Sequence, residues 1–260
     1  MSGAIPVTLR WGASTDVGKV RKENQDGYCA SPPVFAVADG MGGREQGAAA
    51  AAIAIDAMQS LVAKENIEAD DLQRCAAVAW QGIVELSLES ESTPGTTLTA
   101  AILAEDAGTP YWIILNIGDS RTYRFGSDGL VQITVDHSVV QEMVETGALT
   151  REEARTHPQS NLVTRAIVME VQQPADIWKI PVLPNDRLVL CSDGLTAELP
   201  DTYIAKLLDR YDDPQVAAAR LVQVAVDLGG RDNVTVVVVD ATGSPTSTER
   251  TVPIPVRGQE

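Results

Sequence analysis

Histidine is scarce in this chain. His137 and His157 are its only two and lie well apart, which excludes a zinc site built on several histidines. Cysteine is nearly as scarce: Cys29, Cys75 and Cys191 are widely separated with no Cys-x-x-Cys spacing, so neither a disulfide framework nor a zinc knuckle is suggested, and a reducing compartment fits best. Positive charge is in deficit as well, with 20 Lys and Arg against 36 Asp and Glu for a formal net charge of −16. The cations are scattered, so a nucleic acid or an anionic membrane surface would be repelled. No apolar run approaches the roughly 18 to 20 residues of a membrane span. The longest, Ala48 to Ala57, is mostly alanine and is broken by Asp56. The opening MSGAIPVTLRWGASTD lacks the charged-then-apolar pattern of an export signal. A cytoplasmic protein without nucleic-acid or membrane partners is expected.

What remains is enough to fold: 260 residues, 44% hydrophobic and 22% charged, sufficient for a substantial core. Strands are expected at residues 7–11 and 34–38, followed by helices from Gln46 to about Lys64 and from about Asp70 to Leu88. Thr97 to Ala104, Tyr111 to Ile117, Arg121 to Phe125 and Leu130 to Thr134 read as strands of an antiparallel meander, with Gly126-Ser127-Asp128-Gly129 as a hairpin turn. Residues 138–156 read as helical, ending near His157-Pro158. A strand at Arg187–Cys191, helices at 201–210 and 214–228, and a last strand at 234–240 complete the pattern. One domain over residues 1–241 and a disordered tail over 242–260 are expected, the tail because its Pro, Ser and Thr carry no core pattern. Its Thr246, Ser247, Thr248 and Thr251 are candidate kinase targets, although a tail without a role is the simpler reading.

The aspartates carry the chemistry. Asp39 follows VFAVA, Asp119 follows WIILNIG, Asp193 follows RLVLCS, and Asp232 precedes VTVVVV, so each sits at the end of an apolar strand with glycine nearby. One Asp-Gly is ordinarily a turn. Four strand-end carboxylates, if gathered, would repel one another unless a cation neutralised them, and all-oxygen ligation selects Mg2+ or Mn2+. From spacing alone the chemistry stays open between phosphoryl transfer, hydrolysis and ion binding.

The ordered series GKVRKENQD (18–26), VADGMGG (37–43), GTT (95–97), NIGDSR (116–121), CSDG (191–194) and GGRDNVT (229–235) resembles the PPM (PP2C-type) metal-dependent serine/threonine protein phosphatases of bacteria, over roughly residues 7–241. The resemblance implies an α+β fold: a central β-sandwich of two antiparallel sheets flanked by helices on both outer faces. It implies phosphorylated proteins as substrates, a cognate Ser/Thr kinase as the opposing partner and a monomer. It further implies that Asp39 bridges two cations, that the Gly40 carbonyl ligates one of them, and that Asp193 and Asp232 complete the first. Asp26 would serve the second through water, Asp119 would help to hold a third, weaker ion, Arg21 would grip the substrate phosphate, and Asn233 would support the site. A hydroxide bridging the two cations would then attack phosphorus directly, and the guanidinium fork of Arg21 would match phosphate oxygens in geometry as well as charge.

Several features bear on the resemblance. Met41 stands where eukaryotic members often carry a histidine, a proposed proton donor to the leaving group, and Gln25 stands where an acid often precedes Asp26. Val168 takes a place where glycine is frequent, which puts the local turn in question. His137 and His157 flank a segment similar to the family's mobile flap, and a structural role is the expectation for both. Cys191 lacks the Gly-rich loop and Arg of a cysteine phosphatase and is read as buried packing. The rival readings are a phosphoprotein-binding pseudophosphatase, which would be expected to lack one of these acids, and an acidic metal-binding scaffold, which leaves Arg21 unexplained.

Overall fold

The computed structural model describes residues 7–43, 45–89 and 92–243, together with the backbone of Ile254–Pro255. Strand β1 (Thr8–Asp16) leads to β2 (Asp26–Ser31) and β3 (Val34–Met41), then helices α1 (Glu45–Gln59) and α2 (Ala69–Leu88). The short β4 (Gly95–Thr96) precedes β5 (Leu98–Asp106), β6 (Thr109–Ile117), β7 (Arg121–Gly126) and β8 (Gly129–Gln132). After α3 (Val139–Glu145) and α4 (Arg151–Arg155) come β9 (Ile167–Val168), β10 (Asp176–Pro181) and β11 (Asp186–Cys191). Helices α5 (Asp193–Glu198), α6 (Asp201–Arg210) and α7 (Pro214–Leu228) are followed by β12 (Val234–Thr242) and β13 (Ile254–Pro255).

These strands form two antiparallel sheets, one ordered β1-β12-β11-β7-β8 and the other β13-β10-β6-β5-β3-β4-β9, with β2 beside β3. Side-chain alternation explains how they stack. Along β3, Phe35 and Val37 face the other sheet; together with Trp112 and Ile114 of β6 in their own sheet they pack against Leu188 and Leu190 of β11 and Val237 and Val239 of β12. Val34, Ala36 and Ala38, on the opposite face, pack under α1 and α2 against Ala50, Ala54, Met58, Leu72, Ala79 and Ile83. On the second sheet Val189, Cys191, Val234, Val236 and Val238 face Leu195, Leu207, Ala218, Leu221 and Ala225 of α5, α6 and α7. Strands buried on both faces read as continuous apolar runs, which is why VFAVA and VTVVVV have no polar alternation. Each fully buried Val, Leu or Ile contributes on the order of 1.5–3 kcal/mol. The outcome is the expected sandwich with helices on both outer faces.

Several expectations need correction. The meander divides: β5 and β6 pair in one sheet, β7 and β8 in the other, and the chain crosses between them at Gly118-Asp119-Ser120. Gly118 makes this possible, since its φ is +111° and a Cβ would lie 2.6 Å from the Thr97 side chain. The helix expected over 138–156 is two short ones, each with its own N-cap, Ser138 and Thr150, separated at Gly147 with φ +76°. Strand β1 extends to Asp16, its polar end held by a full ladder to β12, and α1 stops at Gln59, short of Lys64. Strands β2 and β10 and helix α5 were not expected at all. Val168 needs no glycine-like turn, because it sits extended opposite Gly95, whose missing Cβ leaves room for the valine. The expected disordered tail falls outside the described residues apart from Thr242, Gly243 and the backbone of β13, which pairs with Trp178 and Lys179. Among the described residues no helix is long and apolar enough to cross a membrane.

Candidate metal centre

One end of the sandwich gathers the acids. The β2–β3 ladder sets Asp26 opposite Asp39. Asp39 continues the Phe35, Val37 parity and so points between the sheets. The sheet crossing contributes Asp119, the turn from β11 into α5 contributes Asp193, and the loop entering β12 contributes Asp232. Arg21, Gln25, Asp39, Gly40, Asp119, Asp193, Asp232 and Asn233 all line one cleft of about 1020 Å3.

Water reaches Asp39 and Asp193 from this cleft, while protein encloses their other sides. Burial, then the charges of Asp26, Asp193 and Asp119, holds the Asp39 carboxyl well above its usual range. Asp119 is raised in the same way, by burial first and then by Asp193 and Asp136. Asp193 is raised by burial and by Asp232, and its carboxyl lies within hydrogen-bond reach of Asp39. Asp26 is pushed up to about 7, chiefly by burial and against the opposing effect of hydrogen bonds from Thr235 and Ser192. Oδ1 of Asp26 and Oδ1 of Asp193 are buried without a hydrogen-bond partner. Buried, mutually repelling carboxylates with orphan oxygens are a poor arrangement for the protein alone and a good one for hard divalent cations. Among the described residues no three acidic, histidine or cysteine side chains close on a single point.

The support is built from hydroxyls and amides. Ser192 Oγ donates to Asp26 Oδ2 at 2.7 Å and accepts from the Thr235 N–H at 3.0 Å. The Asp39 N–H donates to Thr97 Oγ1 at 3.0 Å, and Thr97 is bonded to Ser120 across the two sheets at 2.7 Å, linking Asp39 to the residue beside Asp119. Asn233 Oδ1 accepts from the Gln25 N–H at 2.8 Å, while its Nδ2 donates to the carbonyls of Val17 and Glu23, both at 3.0 Å. That clamp holds the loop bearing Arg21, whose Nη2 donates to Asp232 Oδ2 at 2.7 Å across the cleft mouth. Every sequence-predicted site residue thus belongs to one neighbourhood. Ser192, Thr97, Ser120 and Thr235 were missed as supporting groups, although all four lie inside the motifs that carried the resemblance. Cys191 is buried in the helix-facing core and burial pushes its thiol up to about 12, so it packs and does not react. His137 lies beside Gly118, away from the paired acids, and His157 bonds only locally, its Nδ1 accepting from the Gln159 N–H.

Comparison with known proteins places this geometry. The family described as Protein phosphatase 2C matches residues 22–224. The serine/threonine phosphatase stp of Listeria welshimeri is 34% identical over 239 residues, covering 87% of this chain and 93% of that protein. The serine/threonine protein phosphatase PstP of Mycobacterium tuberculosis is 37% identical over 243 residues, covering 91% of this chain and 46% of that one. A crystal structure of the PstP catalytic domain with two manganese ions superposes with a TM-score of 0.83 at 33% identity, covering 91% of this chain and all of that one. With its strand-end carboxylates, its sandwich and its sequence all in agreement, the chain belongs to the protein phosphatase 2C family of metal-dependent serine/threonine phosphatases.

Proposed function

We propose that Asp26, Asp39, Asp193 and Asp232, with the carbonyl of Gly40, hold a pair of Mn2+ or Mg2+ ions. Asp119 helps to hold a third, weaker ion, and Arg21 grips the substrate phosphate. The observation that carries this reading is the convergence of buried carboxylates, two with orphan oxygens, beneath an arginine at the cleft mouth. When bound, the cation pair supplies Lewis-acid charge and activates water for in-line attack on a phosphoserine or phosphothreonine ester. The protein's own groups do the positioning. Ser192 and Thr235 orient Asp26, the Thr97–Ser120 bridge keeps Asp39 in register with the sheet crossing, and Asn233 fixes the Arg21 loop. To grip phosphate, Arg21 exchanges Asp232 for phosphate oxygens, an exchange favoured once cations take up the charge of Asp232. No nucleophilic side chain is needed, and with Met41 beside Gly40 the leaving alkoxide takes its proton from water or another group.

Phosphorylated proteins are the substrates, a reading supported by the names of the relatives, and a Ser/Thr kinase supplies them. The chain acts in the cytoplasm, as a monomer. Asp39→Asn and Asp193→Asn should each lower manganese-dependent phosphate release from a phosphothreonine peptide by roughly a hundredfold or more. Unchanged turnover in both variants would sink the mechanism, and unchanged turnover in chelator would sink the metal requirement.

A further inference from the structure

The segment from Ser138 to Thr164 leaves and rejoins the sandwich beside His137. The carbonyl of His137 accepts the Thr164 N–H at 2.8 Å, the Val139 N–H donates to the Leu162 carbonyl at 2.9 Å, and Ser138 bridges Val163. The excursion faces the chemistry: Asn161 and Val163 line the catalytic cleft, and Asn161, Arg151 and Arg155 line an adjoining cleft of about 610 Å3 that shares Arg21, Asp119, Asp193 and Asp232 with it. Val140 and Ala154 are its only buried hydrophobic residues. Its seating therefore depends on its polar neck.

His137 is that neck. Its ring and backbone hold both polar groups of Gly118, the residue before Asp119: the Gly118 N–H donates to Nδ1 at 3.0 Å, and the His137 N–H donates to the Gly118 carbonyl at 2.9 Å. Because Nδ1 accepts, the ring proton is on Nε2, which donates to Asp176 Oδ2 at 3.1 Å, while Asp176 Oδ1 accepts from Arg165 Nη1 at 3.1 Å. Both ring nitrogens are thus spent inside the protein, and His137 is only 4% exposed. It has no proton to offer a leaving group. We propose that His137, oriented by Asp176, is a positioning residue that seats the 138–164 segment against the sheet crossing carrying Asp119, and so sets how phosphoproteins dock beside the cations. The proposal rests on the phosphatase reading for its kinetic consequence but not for its structural one.

Three variants test it. His137→Asn keeps an oxygen near the Nδ1 position for the Gly118 N–H but cannot reach Asp176, Asp176→Ala removes the partner, and Asp176→Asn retains an oxygen to accept from Nε2. In His137→Asn and Asp176→Ala, tryptic cleavage after Arg155 in the folded protein should accelerate by roughly fivefold or more, as the neck opens locally. KM for a phosphothreonine peptide should rise about tenfold while kcat on p-nitrophenyl phosphate stays within about twofold, and Asp176→Asn should recover most of the peptide KM. The double variant should be no worse than the worse single one, since both break one link. Unchanged cleavage and peptide KM in whichever of His137→Asn and Asp176→Ala folds would overturn the proposal, as would an equal loss of kcat on both substrates without a change in KM. If the unaltered protein releases phosphate from neither substrate, the phosphatase reading fails, and the proteolysis comparison still decides this one.

Discussion

At Gly40 the absence of a side chain is a structural requirement. A Cβ there would lie 2.1 Å from the carbonyl oxygen of Gly47 and 2.6 Å from that of Gln25, so α1 and the loop before β2 both close on bare backbone. Gly40→Ala should therefore cost about 1–3 kcal/mol and lower Tm by roughly 3–10 °C. It should also weaken manganese binding, because the carbonyl beside Asp39 must shift; a thermal scan with and without Mn2+ checks both. Asp39 and Asp193 were legible in the sequence because an Asp-Gly directly after an apolar run puts a carboxylate at the rim of a buried sheet. Ser192, Thr97 and Ser120 were not. Their partners lie far away in the chain, Asp26 for Ser192 and Ser120 for Thr97, and a lone hydroxyl residue announces nothing about which carboxylate it will orient.

Elements were legible where burial imposed a pattern. The two-sided burial of β3, β11 and β12 and the apolar spacing of α2 and α7 produce runs that local reading recovers. Elements defined by pairing rather than composition escaped it: β2 reads DGYCAS and exists because β3 lies beside it, and β10 is a strand because β6 accepts it. The 138–156 segment looked like one helix because its residues favour helix, yet Gly147 and a second N-cap at Thr150 divide it. The loop before β2 offers a test at this scale. It is held by three hydrogen bonds of Asn233, so Asn233→Ala should destabilise the protein by about 1–3 kcal/mol. It should also raise KM for p-nitrophenyl phosphate several-fold through Arg21, with a smaller effect on kcat; steady-state kinetics alongside urea unfolding separates the two losses.

For the whole molecule the gathered carboxylates make stability depend on pH. Asp26, Asp39, Asp119 and Asp193 all titrate higher in the folded chain than in the unfolded one. At these four positions the cation-free fold therefore binds more protons than the unfolded chain, and the stability they contribute is fully present below the ordinary carboxylate range and declines as pH rises through the folded values, with Asp26 at about 7. Thermal unfolding in chelator should show Tm falling by several degrees between about pH 5 and 8, and saturating Mn2+ should flatten the curve by holding the same groups ionised. A Tm in chelator that rises over that range would contradict the arrangement. The net charge of −16 adds a second expectation: a phosphoprotein is attracted locally, by cations and Arg21, against a repulsive background. Salt should therefore weaken phosphopeptide binding less steeply than on a basic surface, as titrations at several ionic strengths would reveal. By itself the sequence determined the two-sided strands, the acids at their ends and, through six ordered motifs, the family, because each is written in neighbouring residues. Only the tertiary structure decided that the expected meander splits between two sheets at Gly118. Only it, too, decided that His137 spends its two ring nitrogens on Gly118 and Asp176, and that Arg21 rests on Asp232. Those outcomes depend on which distant groups meet across the sandwich, and contact between distant residues has no local signature.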